Sequence, residues 1–294
     1  MGDLNAIVGR LKAQLGAPVG PPAPLDGGIT NRNYRVGFGG REYVLRLPGK
    51  DTGLLGISRE AERRANEVAA GLGIAPAVAA ADAEYLVTDF VPGRAMASAD
   101  VRAAIEPIAR ALRRFHDSGT QLPATFWIPD LLDEYARIAG PDLPAGYEDT
   151  RRLSQRIAAA LPLRDPVPCH NDLLPANLLR LDDGGVMLVD WEYAGMGHRM
   201  FDLGNVAVNN EFGEDDEERL LRAYYERAPS SAERASLRLM RIVSDAREAA
   251  WGVLQSVISE LEFDFNAYGR EHFDRLVEAA RDPRLEEWLD AATA

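Results

Sequence analysis

Residues 170–179 read HNDLLPANLL, which sets His170, Asp172 and Asn177 among four leucines and an alanine. A second apolar run, RLDDGGVMLVD, follows and ends at Asp190. Asp172, Asn177 and Asp190 all present oxygen. Mg²⁺ is a hard cation that takes oxygen ligands, with few protein carboxylates and the rest from substrate phosphates. Asn177 and Asp190 suit that role, and Asp172 is then left to orient an acceptor hydroxyl and take its proton during phosphoryl transfer. Taken singly, each is better read as a cap, Asp172 and Asn177 on turns around Pro175 and Asp190 after the second run, and H-x-D-x-x-x-x-N recurs by chance. The three are tied together by the intervening hairpin, which places the acid at its exit.

That hairpin is read from Asp-Asp-Gly-Gly between two apolar runs. Upstream, Leu4, Ile7, Val8, Leu11 and Leu15 repeat at helical spacing until Gly and Pro break them. NYRVGFGGREYVLRLPG alternates apolar and polar residues about Gly39-Gly40 and predicts a strand pair. Ser58 is a good N-cap for a helix carrying Ala61, Ala65, Val68 and Leu72 on one face and ending at Pro76. EYLVTDFVPG predicts a further strand, after which the helical period dominates, with Ile105, Ile108, Leu112 and Phe115 as one stripe. The strands are expected to be over by about residue 91, save around the HNDLLPANLL segment, and 232–262 to be one long helix. The predicted architecture is α+β: a small β-rich N-terminal lobe, residues 1–91, joined to a larger, mainly helical lobe, residues 92–294.

With these motifs in place the chain resembles the kinase-like superfamily, and within it the choline and ethanolamine kinases. The H-x-D-x-x-x-x-N loop is similar to the catalytic loop of small-molecule phosphotransferases. VDWEYAGMGHRMFDLGN is similar to the D-[FW]-E-Y-A…F-D-[LI]-[GA]-N stretch of choline and ethanolamine kinases. Protein kinases carry Asp-Phe-Gly at the metal step, whereas Asp190 is followed here by Trp191 and Glu192. The resemblance implies a two-lobed protein-kinase-like fold, Mg²⁺ on Asn177 and Asp190, and Asp172 as base, with Glu192 in the acceptor site.

The same resemblance covers the N-terminal part. GGITNRNYRV looks like a phosphate-covering loop, which implies that Gly28, Thr30 and Asn31 meet the phosphates of ATP. Arg46 stands where protein kinases have lysine, and can fork across phosphate oxygens while pairing with a helix carboxylate. Glu62 is the best match for that partner, with Glu60 and Glu67 competing. Read without the family, Arg46 is a solvated residue on an edge strand. VTDFVPG resembles the hinge, which implies adenine contacts at the backbone of Asp89 and Val91. His170 and Asp202 match residues that hold the catalytic loop.

For the acceptor, residues 248–276 resemble the choline kinase segment in which W-G-x-W supplies two aromatic walls. Trp251 matches the first wall, and Leu254 stands where the second would be. Asn209 stands where an acid often faces the cation. These departures favour a smaller amine such as ethanolamine over choline. Without the resemblance, Trp251 reads as a core tryptophan. The implied activity is ATP-dependent phosphorylation of a small amino alcohol. The rivals are an antibiotic phosphotransferase of the aminoglycoside type and, in another class, a nucleotide-binding pseudokinase acting through partners.

Bulk properties agree. The 294 residues suffice for two modest lobes, and a formal net charge of −13 argues against nucleic acid and against anionic membrane surfaces, while suiting a small cation. Cys169 is the single cysteine, so no internal disulfide forms. The first residues do not resemble a signal peptide, and no uncharged run reaches the ~18 apolar residues of a spanning helix. The cytoplasm is the expected compartment, and a homodimer is compatible with the resemblance.

Overall fold

The computed structural model describes residues 4–25, 31–49, 52–141 and 143–293. Helix α1 (Leu4–Leu15) precedes an antiparallel sheet of β1 (Ala23–Leu25), β2 (Asn31–Phe38), β3 (Arg41–Pro48), β4 (Val78–Ala81) and β5 (Leu86–Asp89), in the order β1-β2-β3-β5-β4. The period of two divides β3 between two tasks. Tyr43, Leu45 and Leu47 face α1 and pack with Ile7, Leu11, Val36, Phe38 and Val87 as a small core. Val44 and Arg46, on alternate positions, point the other way, toward the rest of the molecule.

Between β3 and β4 lies α2 (Arg59–Gly71), capped as the sequence predicts: Ser58 Oγ accepts the Ala61 N–H at 3.3 Å. Ala61, Ala65 and Ala69 are fully buried, and their small side chains let α2 sit close in the main core. Glu62 shares that helix and is buried too.

Past β5 the chain crosses into the second lobe through β6 (Gly93–Ala95), then α3 (Ser98–Ala103), α4 (Ile105–His116), α5 (Ile128–Ala139) and α6 (Tyr147–Ala160). Next come β7 (Val167–Cys169), β8 (Leu178–Leu181), β9 (Val186–Leu188), β10 (Gly195–Gly197), α7 (Arg199–Asn209) and α8 (Glu214–Tyr225). The chain ends with α9 (Ser231–Ile258), α10 (Phe265–Ala280) and α11 (Leu285–Thr293). The expectation that strands are nearly over by residue 91 is corrected. Besides the β8–β9 hairpin, β6 joins that hairpin as a third strand and β7 pairs with β10. Three-residue strands are too short for alternation to show. The long helix stops at Ile258, four residues before the expected end.

Helix α9 is the axis of this lobe and touches α5, α6, α7, α8, α10 and α11. A capping box opens it: Ser230 Oγ accepts the Glu233 N–H, and the Ser230 N–H donates to the Glu233 carboxylate. At its far end α10 crosses at glycines, and a Cβ on Gly252 would lie 2.8 Å from the Gly269 Cα. A backbone tie joins the lobes where the Leu188 N–H donates to the Ile74 carbonyl at 2.8 Å. Among the described residues no helix is long and apolar enough to cross a membrane.

Candidate active site

The segment 170–177 is suspended from α7. Asp202, fully buried in the first turn of that helix, accepts the backbone N–H of His170 at 2.8 Å and of Asn171 at 2.7 Å. The same carboxylate meets His116 Nε2 at 3.0 Å, and His116 Nδ1 lies 2.7 Å from the Tyr224 hydroxyl. One turn on, Asn205 Oδ1 accepts the Leu173 N–H, while Asn205 Nδ2 donates to Ser244 of α9 at 2.9 Å. Asp202 thereby ties the backbone of this segment to α7. His170 Nδ1 accepts the Asp172 N–H at 3.2 Å, so its Nε2–H donates to the Val189 carbonyl at 3.0 Å. Burial lowers this imidazole to about 4, which keeps it neutral in that tautomer. Leu173 and Leu178, both wholly buried, anchor the two ends. Cys169 lies just before the segment, wholly buried beside His116 and Asp202.

Asp172 and Asn177 are joined directly. Asn177 Nδ2 donates to the Asp172 carbonyl at 2.8 Å and to its Oδ2 at 2.9 Å, which leaves the Asn177 amide oxygen for a cation. Asp190 follows β9 with φ of 64°, a left-handed turn, and its carboxylate meets Arg46 of the other lobe. Burial pushes Asp190 up to about 6, against the pull of Arg46. Burial likewise raises Asp172 well above the ordinary carboxylate range, and a neighbouring guanidinium, Arg247, pulls it back.

Arg46 gathers three acids across the lobes: Glu62 at 3.1 Å, Asp190 at 2.5 Å and Glu192 at 3.1 Å. Of the competing helix acids, Glu62 is the partner. Glu192 is also held by Asn31, whose Nδ2 donates to it at 2.8 Å. Asn31 is thus tied to Glu192 at the start of β2, and does not line the cavity next described. Gly28 and Thr30 lie outside the described residues.

Two cavities meet at Asn177 and Asp190. One, of about 360 Å³, lies under the sheet and is walled by Val44, Leu86, Leu179 and Val189, with Asp89 and Val91 at its edge. The other, of about 220 Å³, is lined by Asp172, Glu192, Tyr193, Arg247, Glu248, Trp251 and Tyr268. Asn177 and Asp190 belong to both walls, and Asp172 to the second alone. The two site assignments at Leu254 and Asn209 are corrected. Leu254 is wholly buried in the core, and Asn209, at the end of α7, does not line the cavity.

Sequence reasoning passed over Tyr193, Arg247, Glu248 and Tyr268. Arg247 Nη1 donates to Glu248 at 2.6 Å and reaches Asp172 at 3.4 Å. Its guanidinium lies 4.2 Å from the Tyr193 ring centroid. Tyr268 donates to Glu248 at 2.7 Å, and Trp251 Nε1 donates to the Tyr193 hydroxyl at 2.8 Å. A signal existed in the charged pair Arg247-Glu248 inside an otherwise apolar turn of α9, with Arg247 four residues before Trp251 and so on its face.

Comparison with known proteins gives consistent matches. The model of a family described as "phosphotransferase enzyme family" matches residues 23–240. LicA of Haemophilus influenzae is 26% identical over 208 residues, 67% of this chain and 61% of that protein, so this chain spans less than two thirds of LicA. Ethanolamine kinase 2 of Mus musculus is 28% identical over 274 residues, covering 80% of this chain and 69% of the mouse protein. A solved structure of a choline/ethanolamine kinase family protein from Mesorhizobium loti superposes with a TM-score of 0.84 at 29% identity, over 98% of each chain. The two-lobed, kinase-like arrangement described above is shared with that neighbour.

Proposed function

This chain belongs to the phosphotransferase enzyme family, and on that premise we propose that it transfers the terminal phosphate of ATP to the hydroxyl of a small amino alcohol. The observation that carries the reading is the pair of cavities sharing Asn177 and Asp190 as their common wall, with Asp172 on one side only. Phosphoryl transfer requires a donor and an acceptor on either side of the transferred group, with charge stabilisation between them.

On this reading the nucleotide occupies the larger cavity, between the N-terminal lobe, residues 1–91, and the second lobe, its adenine at the Asp89–Val91 edge. Arg46 turns from its carboxylates to the phosphates while Glu62 keeps it aimed. The Asn177 amide oxygen and the Asp190 carboxylate form a hard oxygen set that fits Mg²⁺. Bound there, the ion neutralises charge on phosphate oxygens. Asp172, steadied by Asn177, accepts the proton of the acceptor hydroxyl. Burial raises its pKa above the ordinary carboxylate range, and Arg247 beside it favours the ionised form that can take the proton. The smaller cavity, about 220 Å³ and lined by Tyr193, Trp251 and Tyr268, suits a compact acceptor better than a multi-ring antibiotic. The relatives named for choline and ethanolamine kinase activity point the same way.

The test is ADP release from Mg-ATP with ethanolamine, choline, their N-methyl intermediates and kanamycin, with Asp172→Ala as control. Wild type should exceed the control by roughly 10²–10⁴-fold with an amino alcohol. The reading falls if no acceptor raises ADP above the control, and moves to the antibiotic class if kanamycin alone does.

A further inference from the structure

Arg247 is an unusual residue to find in the wall of a cavity meant for a cationic acceptor. Its side chain is 2% exposed, on the same face of α9 as Trp251. One nitrogen, Nη1, makes both of its polar contacts, to Glu248 and Asp172. Nε and Nη2 are buried without a hydrogen-bond partner. These two form one edge of the guanidinium, with parallel N–H bonds spaced for the two oxygens of a carboxylate. Leaving such donors unpaired inside a protein is costly, and a buried guanidinium is normally forked onto an anion.

The cation also takes surface that an acceptor ammonium would want. The guanidinium lies over Tyr193 at 4.2 Å and near Phe126 at 5.9 Å from the ring centroids. The π face of Tyr193 is therefore already engaged by a charge belonging to the protein. Glu248, which bonds the aromatic wall at Tyr268, is already satisfied by Arg247 and Tyr268. A bare ammonium would meet a fixed positive charge and a neutralised acid. A second, negative group on the acceptor reverses the balance. Asp190 and Glu192 pair with Arg46, so the acidic partners left for an amine are Asp172 and, once Arg46 turns to the phosphates, Glu192.

We propose that the acceptor is a zwitterion, a small hydroxy-amine that also carries a carboxylate, and that this carboxylate docks on the Nε–Nη2 edge of Arg247. The inference rests on the acceptor cavity assigned above and names the class of molecule that fills it. Because this edge is buried, the head of Arg247 turns to meet the ligand, giving up the long 3.4 Å contact with Asp172 and exchanging the 2.6 Å contact with Glu248 for the ligand carboxylate. The amine is left to the acidic side of the cavity, and the hydroxyl to Asp172.

The experiment compares acceptors in pairs that differ only by the carboxylate: serine against ethanolamine, and homoserine against 3-aminopropan-1-ol, each with Mg-ATP. In at least one pair, kcat/KM for the carboxylated member should be tenfold or more the higher. Arg247→Met should abolish that ratio through acceptor KM, and Arg247→Lys should retain part of it. A merely structural Arg247 would lower both members of a pair equally. If the acceptors without a carboxylate are used as well or better by wild type, the zwitterion is excluded while the kinase reading stands. If no acceptor of either kind gives ADP above Asp172→Ala, the kinase reading falls and this proposal with it. The wild-type ranking needs no variant, so a misfolded substitution does not blunt the test.

Discussion

At the scale of single residues, the decisive arrangement is one guanidinium shared among three acids. Arg46 reaches Glu62 from its own lobe and Asp190 and Glu192 from the other. A lysine in its place offers a single compact charge, which cannot span three carboxylates or fork across phosphate oxygens. Arg46→Lys should therefore raise the KM for ATP more than tenfold and leave the acceptor KM within about twofold, measured by initial rates at varied ATP and acceptor. Equal rises in both constants would place Arg46 outside nucleotide binding. The sequence showed the charge and its strand, because alternation put Arg46 on the face opposite Tyr43 and Leu45. It could not show that Asn31 is spent on Glu192, since that contact joins residues 161 apart. Nor could it show that Leu254 is turned into the core one turn beyond Trp251, because helical spacing gives a face only once the neighbouring helices are known.

At the scale of elements, the smaller cavity, proposed above for the acceptor, depends on how closely α10 lies against α9. The crossing at Gly252 and Gly269 leaves no room for a side chain: a Cβ on Gly252 would also stand 2.9 Å from the Phe265 carbonyl oxygen. Tyr268, which bonds Glu248 and meets Trp251 edge to face at 5.5 Å, rides on α10. Gly252→Ala should push the two helices apart, cost about 1–3 kcal/mol of stability and raise the acceptor KM with the ATP KM unchanged. Thermal unfolding and initial rates report the two effects separately, and a variant with wild-type acceptor KM would show that α10 does not set the cavity. Elements of this length were legible. The β2–β3 hairpin, the capped α2, the β8–β9 hairpin and the long α9 all follow from period and turn chemistry. The strands β6, β7 and β10 were not, because pairing across the fold, and no local pattern, makes three residues a strand.

At the scale of the whole molecule, stability and protonation are linked through imidazoles that folding keeps neutral. Burial lowers His198, the N-cap of α7, from 6.5 to about 4, as it does His170. Between those values the unfolded chain binds protons that the folded chain refuses, so this contribution is present above pH 6.5 and is lost as pH falls toward 4. Asp190 and Asp172, raised by burial, act in the opposite sense, so the clean measurement is a difference. His198→Asn keeps a capping acceptor but cannot titrate. The stability of wild type relative to this variant should drop by about 3 kcal/mol between pH 7 and pH 4, read from urea unfolding at each pH. A flat difference would mean that His198 titrates normally in the fold. The same enclosure gives the chain's one thiol a further meaning. Cys169 sits at the root of the segment bearing Asp172, wholly buried, with burial pushing its pKa up, so native protein protects it from alkylation on both counts. Its modification rate becomes a clock for transient opening beneath the segment bearing Asp172, one that on the proposed function ticks more slowly in the presence of nucleotide or acceptor, and that needs no engineered label.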